Sequence, residues 1–245
     1  MTELVRLIGV TQPRISNEVV RSMMNASDLI AYCARVSNPK NQNNTNTAEK
    51  LLTYCIKNKH WSPFEMVNVV MEINTTRDIA RQILRHRSFS FQEFSQRYAD
   101  PSELGFEVRD ARLQDPKNRQ NSIHTSNTDL KHLWYMKQQQ LLHETKLAYK
   151  WAIENGIAKE QARAILPEGM TKSRLYMNGN LRNWITYVAL REGNGTQLEH
   201  IEVAQACKRI LLVEFPFLGA ALGNEYDDWQ KVVQAYPNEE ITPSK

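Results

Sequence analysis

A chain of 245 residues in which 41% of side chains are hydrophobic is large enough for one substantial domain or two small ones, and too apolar for a disordered protein. Its formal net charge of +4 suits a protein that handles anionic small molecules and argues only weakly for a nucleic-acid binder. Three cysteines, Cys33, Cys55 and Cys207, stand far apart with no C-x-x-C spacing and no metal-type histidine beside them. Reduced, mostly buried thiols are therefore expected, with neither a disulfide framework nor a metal centre.

In chain order, residues 3–10 alternate weakly and predict a first strand. Met1 to Leu7 lacks the apolar core of a signal peptide, and no run reaches the roughly 18 apolar residues of a membrane span, so a cytoplasmic protein without a membrane partner is expected. Ser27 to Val36 reads as a helix, with Leu29, Ile30, Cys33 and Ala34 on one side. Pro39 to Thr47 is a polar loop, and Thr47 caps a second helix whose apolar face is Leu51, Leu52, Cys55 and Ile56. A turn over His60 to Glu65 leads into a strand, Val67 to Ile73, with Val67, Val69, Met71 and Ile73 on one face. Next comes a helix over 74–84, capped at Asn74 or Thr75, with Ile79, Ile83 and Leu84 at helical spacing.

Residues 103–128 are polar and read as a long loop or insertion. Asp129 to Asn155 is the longest helix, with Leu130, Leu133, Trp134, Leu141, Ala148 and Trp151 expected to be buried and Gly156 as its stop. A short helix over 158–166 ends at Pro167, and 170–177 is ambiguous between extended and irregular structure. Asn178-Gly179-Asn180 is read as a turn opening a helix over 181–190, a last helix spans 197–215, and 236–245 is expected to fray. Few strands, many helices and no regular βαβ alternation predict an α+β fold: an antiparallel sheet flanked by a substantial helical part, in a single domain over 1–245.

The rest of the chain is organised around Arg85-His86-Arg87-Ser88-Phe89-Ser90-Phe91-Gln92-Glu93-Phe94-Ser95-Gln96-Arg97-Tyr98. The basic triplet falls at the C-terminal end of the preceding helix, where cations suit the helix dipole, and helical spacing sets Gln82 beside Arg85 and His86. If the following segment is extended, Phe89, Phe91, Glu93, Ser95 and Arg97 share one side. A carboxylate, a hydroxyl and a guanidinium on one surface could hold a phosphorylated polar ligand. The same residues would equally make a solvated basic helix end followed by an edge strand.

The string R-H-R-x7-S-x-R, with Glu93 two residues before Ser95, closely resembles the signature of flavin-dependent thymidylate synthases. His60-Trp61-Ser62-Pro63-Phe64-Glu65 resembles that family's upstream H-x-[ST]-P-F-E segment. Arg163-Ala164-Ile165-Leu166-Pro167 and Asn180-Leu181-Arg182 through Arg191 resemble its C-terminal half. The likeness covers about residues 30–215 in the right order and implies the same α+β fold.

What the resemblance implies is specific. The enzyme would convert dUMP to dTMP with 5,10-methylenetetrahydrofolate as one-carbon donor and NADPH-reduced FAD as hydride source, without a protein nucleophile. Gln82, Arg85, Glu93, Phe94, Ser95, Gln96, Arg97 and Arg163 correspond to dUMP contacts, with Ser95, Arg97 and Arg163 on the phosphate. Arg191 corresponds to the catalytic arginine, which meets negative charge on the uracil imide. His60, Ser62, Arg85, His86, Arg87, Glu93, Asn180, Arg182 and Thr186 correspond to flavin contacts. Two positions depart from the common pattern: Thr186 stands where many relatives have asparagine, and no histidine follows shortly after Arg191, where Gly195 lies instead. No Rossmann glycine motif, P-loop or metal-ligand cluster is present. FAD bound without a dinucleotide fingerprint is natural if the pocket forms between subunits, and the resemblance implies a homotetramer.

The chemistry of the residues is compatible with that scheme. Cys33, Cys55 and Cys207 have apolar neighbours, which raise a thiol pKa and argue against a cysteine nucleophile. Ser95 lacks an adjacent base and suits ligand contact better than attack. A competing reading is a single-stranded nucleic-acid binder in which Arg85, Arg87 and Arg97 grip phosphates while Phe89, Phe91, Phe94 and Tyr98 stack on bases.

Overall fold

The computed structural model describes residues 3–14, 24–193 and 195–223; the expected frayed tail at 236–245 lies outside them. In chain order its elements are strand β1 (Val5–Val10), helices α1 (Ala26–Ala34) and α2 (Ala48–Lys57), strand β2 (Asn68–Thr76), helix α3 (Arg77–Ile83), strands β3 (Ser90–Glu93), β4 (Arg112–Gln114) and β5 (Ser122–His124), helices α4 (Thr128–Glu154) and α5 (Lys159–Ala162), strand β6 (Lys172–Asn180), and helices α6 (Leu181–Arg191), α7 (Leu198–Glu214) and α8 (Gly219–Leu222).

Four strands form an antiparallel sheet in the order β1-β2-β6-β3. Alternation decides its two faces. Val69, Met71 and Ile73 of β2 and Leu175 and Met177 of β6 point inward and are wholly buried. The outward face instead centres on Glu72, whose carboxylate accepts from Arg6 at 3.2 Å and from the Tyr176 hydroxyl at 2.8 Å. Those residues sit opposite it on the neighbouring strands β1 and β6. Each such cross-strand pair contributes roughly 0.2–1 kcal/mol.

The pairing of β2 with β6 positions the site. Thr76 at the end of β2 lies opposite Lys172 at the start of β6, and Asn180 at the end of β6 lies opposite Asn68. Each strand runs straight into a helix, so α3 and α6 start from opposite ends of the sheet and return over its inner face. The strands span about 30 Å, while α3 and α6 together cover about 27 Å, so the C-terminal ends of the two helices meet over the sheet. The Asn180 side chain caps α6 by accepting from the Asn183 N–H at 3.0 Å. Buried Trp184 donates its indole N–H to the Val69 carbonyl at 3.1 Å, fastening α6 to β2. Helix α7 adds Val203, Ala204, Cys207 and Leu211 to the same core.

Several expectations need correction. Asn74 and Thr75 belong to β2 and do not cap α3, because the ladder to β6 continues through Thr76. Thr47 precedes α2 but its hydroxyl accepts from Arg35 at 2.7 Å instead of capping the helix. The 103–128 segment is no plain loop. It holds the β4–β5 hairpin, and Gln138 of α4 clamps the backbone of Arg109 through two hydrogen bonds of 2.8 Å. Three-residue strands are too short for alternation to show in the sequence.

Helix α4 departs most. Leu130, Leu133, Trp134, Leu141, Ala148 and Trp151, all expected inside, are exposed, and the buried positions are Gln138, Leu142, Thr145, Tyr149 and Ala152. Periodicity identified the apolar stripe correctly but could not say which surface it meets.

Asn178 and Gly179 are not a turn either; both lie inside β6. A Cβ on Gly179 would stand 2.4 Å from Cδ1 of Phe89, so glycine is required by the ring that crosses it. Phe89 is itself buried against Trp184, with ring centroids 4.9 Å apart. Gly179→Ala should therefore lower stability by about 1–3 kcal/mol through overpacking. Adding Phe89→Leu should restore part of the loss, a non-additivity that a thermal-melt double-mutant cycle would measure.

Candidate active site

The site grows from the meeting of the two helix ends. After Ile83 the chain bends, with the His86 N–H bonded to the Ile83 carbonyl at 3.0 Å, so the basic triplet lies just past α3 and not within it. Phe89 anchors the bend in the core, and Asn183 of α6 donates to the Ser88 carbonyl at 2.7 Å. On α6, Trp184, Tyr187 and Arg191 follow one another at helical spacing along one stripe. Tyr187 packs edge-on to His86, with centroids 4.9 Å apart, and one turn later Arg191 donates from Nε to His86 Nε2 at 2.8 Å.

That bond settles the state of His86. Burial and the neighbouring Arg191 and Arg85 guanidinium groups push its pKa down to about 4. At neutral pH the ring is uncharged, Nε2 is an acceptor, and the proton sits on Nδ1. Because Nε of Arg191 is held by His86, the guanidinium's two terminal nitrogens remain as a positive fork at the end of a helix.

Gln82 belongs to the same region. Its Oε1 lies 3.3 Å from Nδ1 of His200 on α7, and its Nε2 donates to Gln197 Oε1 at 2.8 Å. His200 is fully buried and also meets the Tyr187 hydroxyl at 3.1 Å. Burial first, then the charges of Arg191 and the His86 ring, drive its pKa to about 3.

A second group forms at the edge strand. Glu93 faces inward from β3, accepting from Ser173 at 2.7 Å and from Arg77 at 3.4 Å. The strand ends there. Phe94 still pairs with Arg174, but Ser95 to Ala99 form a turn, so Arg97 does not share a strand face with Glu93 and Ser95. The Ser95 hydroxyl instead accepts from the Arg97 N–H at 3.4 Å, and the Arg97 side chain pairs with Glu160 at 3.6 Å. Arg163 donates to the Glu160 carbonyl at 3.3 Å and stands close enough to depress the pKa of Arg77, after burial and alongside Arg81. Gln96 is buried with an unpartnered Nε2.

The third group is looser. Ser62 opens the short 3-10 turn Ser62–Glu65, and Arg182 pairs with Glu65 at its end. His60 is exposed beside Tyr54. The Asn180 oxygen is engaged by its helix cap, and Thr186 bonds back to the Arg182 carbonyl at 3.1 Å. Arg85 and Arg87 are exposed and make no ion pair among the described residues. Guanidinium groups left open in this way suit the diphosphate of a dinucleotide, and the orphaned amide of Gln96 offers a further donor, so the residues present fit a flavin dinucleotide with a phosphorylated substrate.

Sequence reasoning missed Arg77, Ser173, Tyr187, Gln197 and His200. A signal existed for His200. It occupies the same stripe as Val203, Ala204, Cys207 and Leu211, so a histidine interrupts an otherwise apolar helix face. The nucleic-acid reading is not supported: Phe89 is buried in the core and Phe91 packs, partly buried, against it, so the row of aromatic rings it needs is not open to a base.

The family described as thymidylate synthase complementing protein matches residues 18–217. A protein of Paramecium bursaria Chlorella virus 1, called probable flavin-dependent thymidylate synthase, is 50% identical over 91% of this chain and 98% of its own length. The flavin-dependent thymidylate synthase of Synechocystis sp. is 48% identical over 89% of this chain and 98% of its own. Among solved structures, a UMP/dUMP methylase, PolB, from Streptomyces cacaoi bound with 5-Br UMP superposes with a TM-score of 0.70. It covers 89% of this chain and 92% of its own at 22% identity, a likeness of fold.

The two depressed histidines give the site a pH signature. An unfolded histidine titrates near 6.5, so as pH falls below that the unfolded chain takes up protons that the folded chain refuses. Stability is full above about pH 6.5 and declines toward pH 5, before most carboxylates titrate. Urea midpoints at pH 7, 6 and 5 should fall in that order, and more shallowly in His200→Gln.

Proposed function

Since this chain belongs to the thymidylate synthase complementing protein family, we propose that the site just described methylates C5 of dUMP to give dTMP, as a flavin-dependent thymidylate synthase. 5,10-Methylenetetrahydrofolate is the proposed one-carbon donor and NADPH the proposed reductant. Bound FAD supplies the hydride.

The observation that carries this reading is the Arg191 guanidinium held by neutral His86. A fixed cation there stabilises negative charge that builds on the uracil ring as C5 becomes nucleophilic, and it needs no reorganisation when that charge appears. His86 cannot cancel the effect by taking a proton, because at neutral pH it serves only as the acceptor that orients Nε. The cysteines take no part. Burial raises all three thiols, Cys207 most, so none is a thiolate at neutral pH. Glu93, oriented by Ser173 and Arg77, is the proposed acceptor for a ligand hydroxyl or ring N–H, while Arg163, Ser95 and Arg97 take the phosphate. Arg85, Arg87, Ser62 and Arg182 would hold the flavin dinucleotide, with His60 at its margin.

A homotetramer is the proposed assembly. Its support is α4, whose exposed stripe of Leu133, Trp134, Leu141 and Trp151 is a larger run of apolar surface than a lone subunit ordinarily shows to water. Among the described residues no helix is long and apolar enough to cross a membrane. A cytoplasmic setting accords with three free cysteines.

An anaerobic assay with folate donor and NADPH should yield dTMP from dUMP with FAD and none without it. Arg191→Ala should keep FAD binding near normal and lower kcat roughly 10²–10³-fold; turnover near that of the wild type would remove Arg191 from its role. Light scattering should give about four times the 28.4 kDa chain mass. Leu133→Glu with Leu141→Glu should yield smaller, inactive species.

A further inference from the structure

We propose that His200 is a positioning residue that, together with Glu199, locks the side-chain amide of Gln82 in one orientation toward the substrate. The argument starts from an acceptor. The Glu199 carboxylate takes Arg112 at 2.6 Å on Oε1 and Gln197 Nε2 at 3.0 Å on Oε2. Burial alone would raise its pKa, but its own backbone N–H and the Arg112 and Arg109 guanidinium groups outweigh that and keep it ionised.

A carboxylate can only accept, so Gln197 must turn Nε2 toward Glu199 and present Oε1 to Gln82. Gln82 then donates from Nε2 at 2.8 Å and presents its own Oε1 to His200 Nδ1 at 3.3 Å. An amide oxygen cannot donate, so Nδ1 must carry the proton. His200 is uncharged, its pKa lying near 3. Nε2 therefore has a lone pair, and the Tyr187 hydroxyl donates to it at 3.1 Å. Five side chains form a chain of hydrogen bonds that all point toward Glu199, and reversing any one breaks its neighbours.

The consequence lies at Gln82. A glutamine amide whose oxygen and nitrogen can exchange places offers a ligand either polarity, whereas this one is fixed from both sides, leaving one N–H and one oxygen lone pair in set positions. The same two histidines link the parts of the site, because the His86 and His200 rings lie 6.4 Å apart with Tyr187 in contact with both. The role given to Gln82 rests on the thymidylate synthase reading, but the locked amide does not.

The test uses the flavin-loaded enzyme and two variants. His200→Leu removes the donor at similar size and should raise KM for dUMP roughly three- to tenfold, the worth of one neutral hydrogen bond, with FAD content unchanged and kcat little altered. His200→Gln can still donate to Gln82 and accept from Tyr187, and should recover most of the loss. An unchanged KM in His200→Leu, or equal defects in both variants, would overturn the proposal. Nitrogen-15 spectra of histidine-labelled wild-type protein should show His200 neutral with its proton on Nδ1; a proton on Nε2 would overturn it whether or not the variants fold. A wild type that binds no dUMP and makes no dTMP would defeat the functional reading and leave that tautomer result standing.

Discussion

Two helices that return over one sheet face from opposite ends set the geometry on which the rest depends. Because β2 and β6 pair along their full lengths, the helices that follow them converge head-on, and what converges is a pair of C-terminal ends. Each such end carries partial negative charge and four unpaired carbonyls, a place that favours cations. Arg85, His86 and Arg87 follow one end, and Arg191 closes the other. Bringing so much positive charge together in a partly dry setting leaves one inexpensive arrangement: the guanidinium keeps its proton and the imidazole gives its own up.

The polar groups behind this junction obey a single direction. From Tyr187 through His200, Gln82 and Gln197, each donates toward Glu199, where Arg112 and Arg109 balance the carboxylate. Taking polar side chains wholly or partly out of water is costly unless each donor has its acceptor. Here each side chain from Tyr187 to Glu199 is paired with the next, and that pairing turns the cost into rigidity. The β4–β5 hairpin, which reads in sequence as featureless, has a structural role in this: it delivers Arg112 to Glu199.

Helix α4 shows the opposite economy. Its inner side meets the subunit through Gln138, Thr145 and Tyr149, while tryptophans and leucines face outward. The proposed tetramer would cover that outward stripe. The open guanidinium groups of Arg85 and Arg87 fit the same picture of a site assembled from more than one chain.

Much was legible beforehand. Alternation over 67–73 placed Val69, Met71 and Ile73 inside, Phe91 and Glu93 share a side of the edge strand as read, and Gly156 ends its helix with φ +78. These are local matters, governed by the period of a strand or helix and by the freedom of glycine at positive φ, and one chain segment is enough to reveal them. The signature around Arg85 to Arg97, with Arg191 far downstream, identified the family from sequence alone. Only the tertiary structure decided which residues meet. The Arg191–His86 bond joins positions 105 residues apart, Gln82 reaches His200 across 118, and the strand carrying Glu93 halts before Arg97 because a turn intervenes. Whether the apolar stripe of α4 faces its own core or the outside was likewise beyond the sequence, since a hydrophobic period records that a face is covered and not by what.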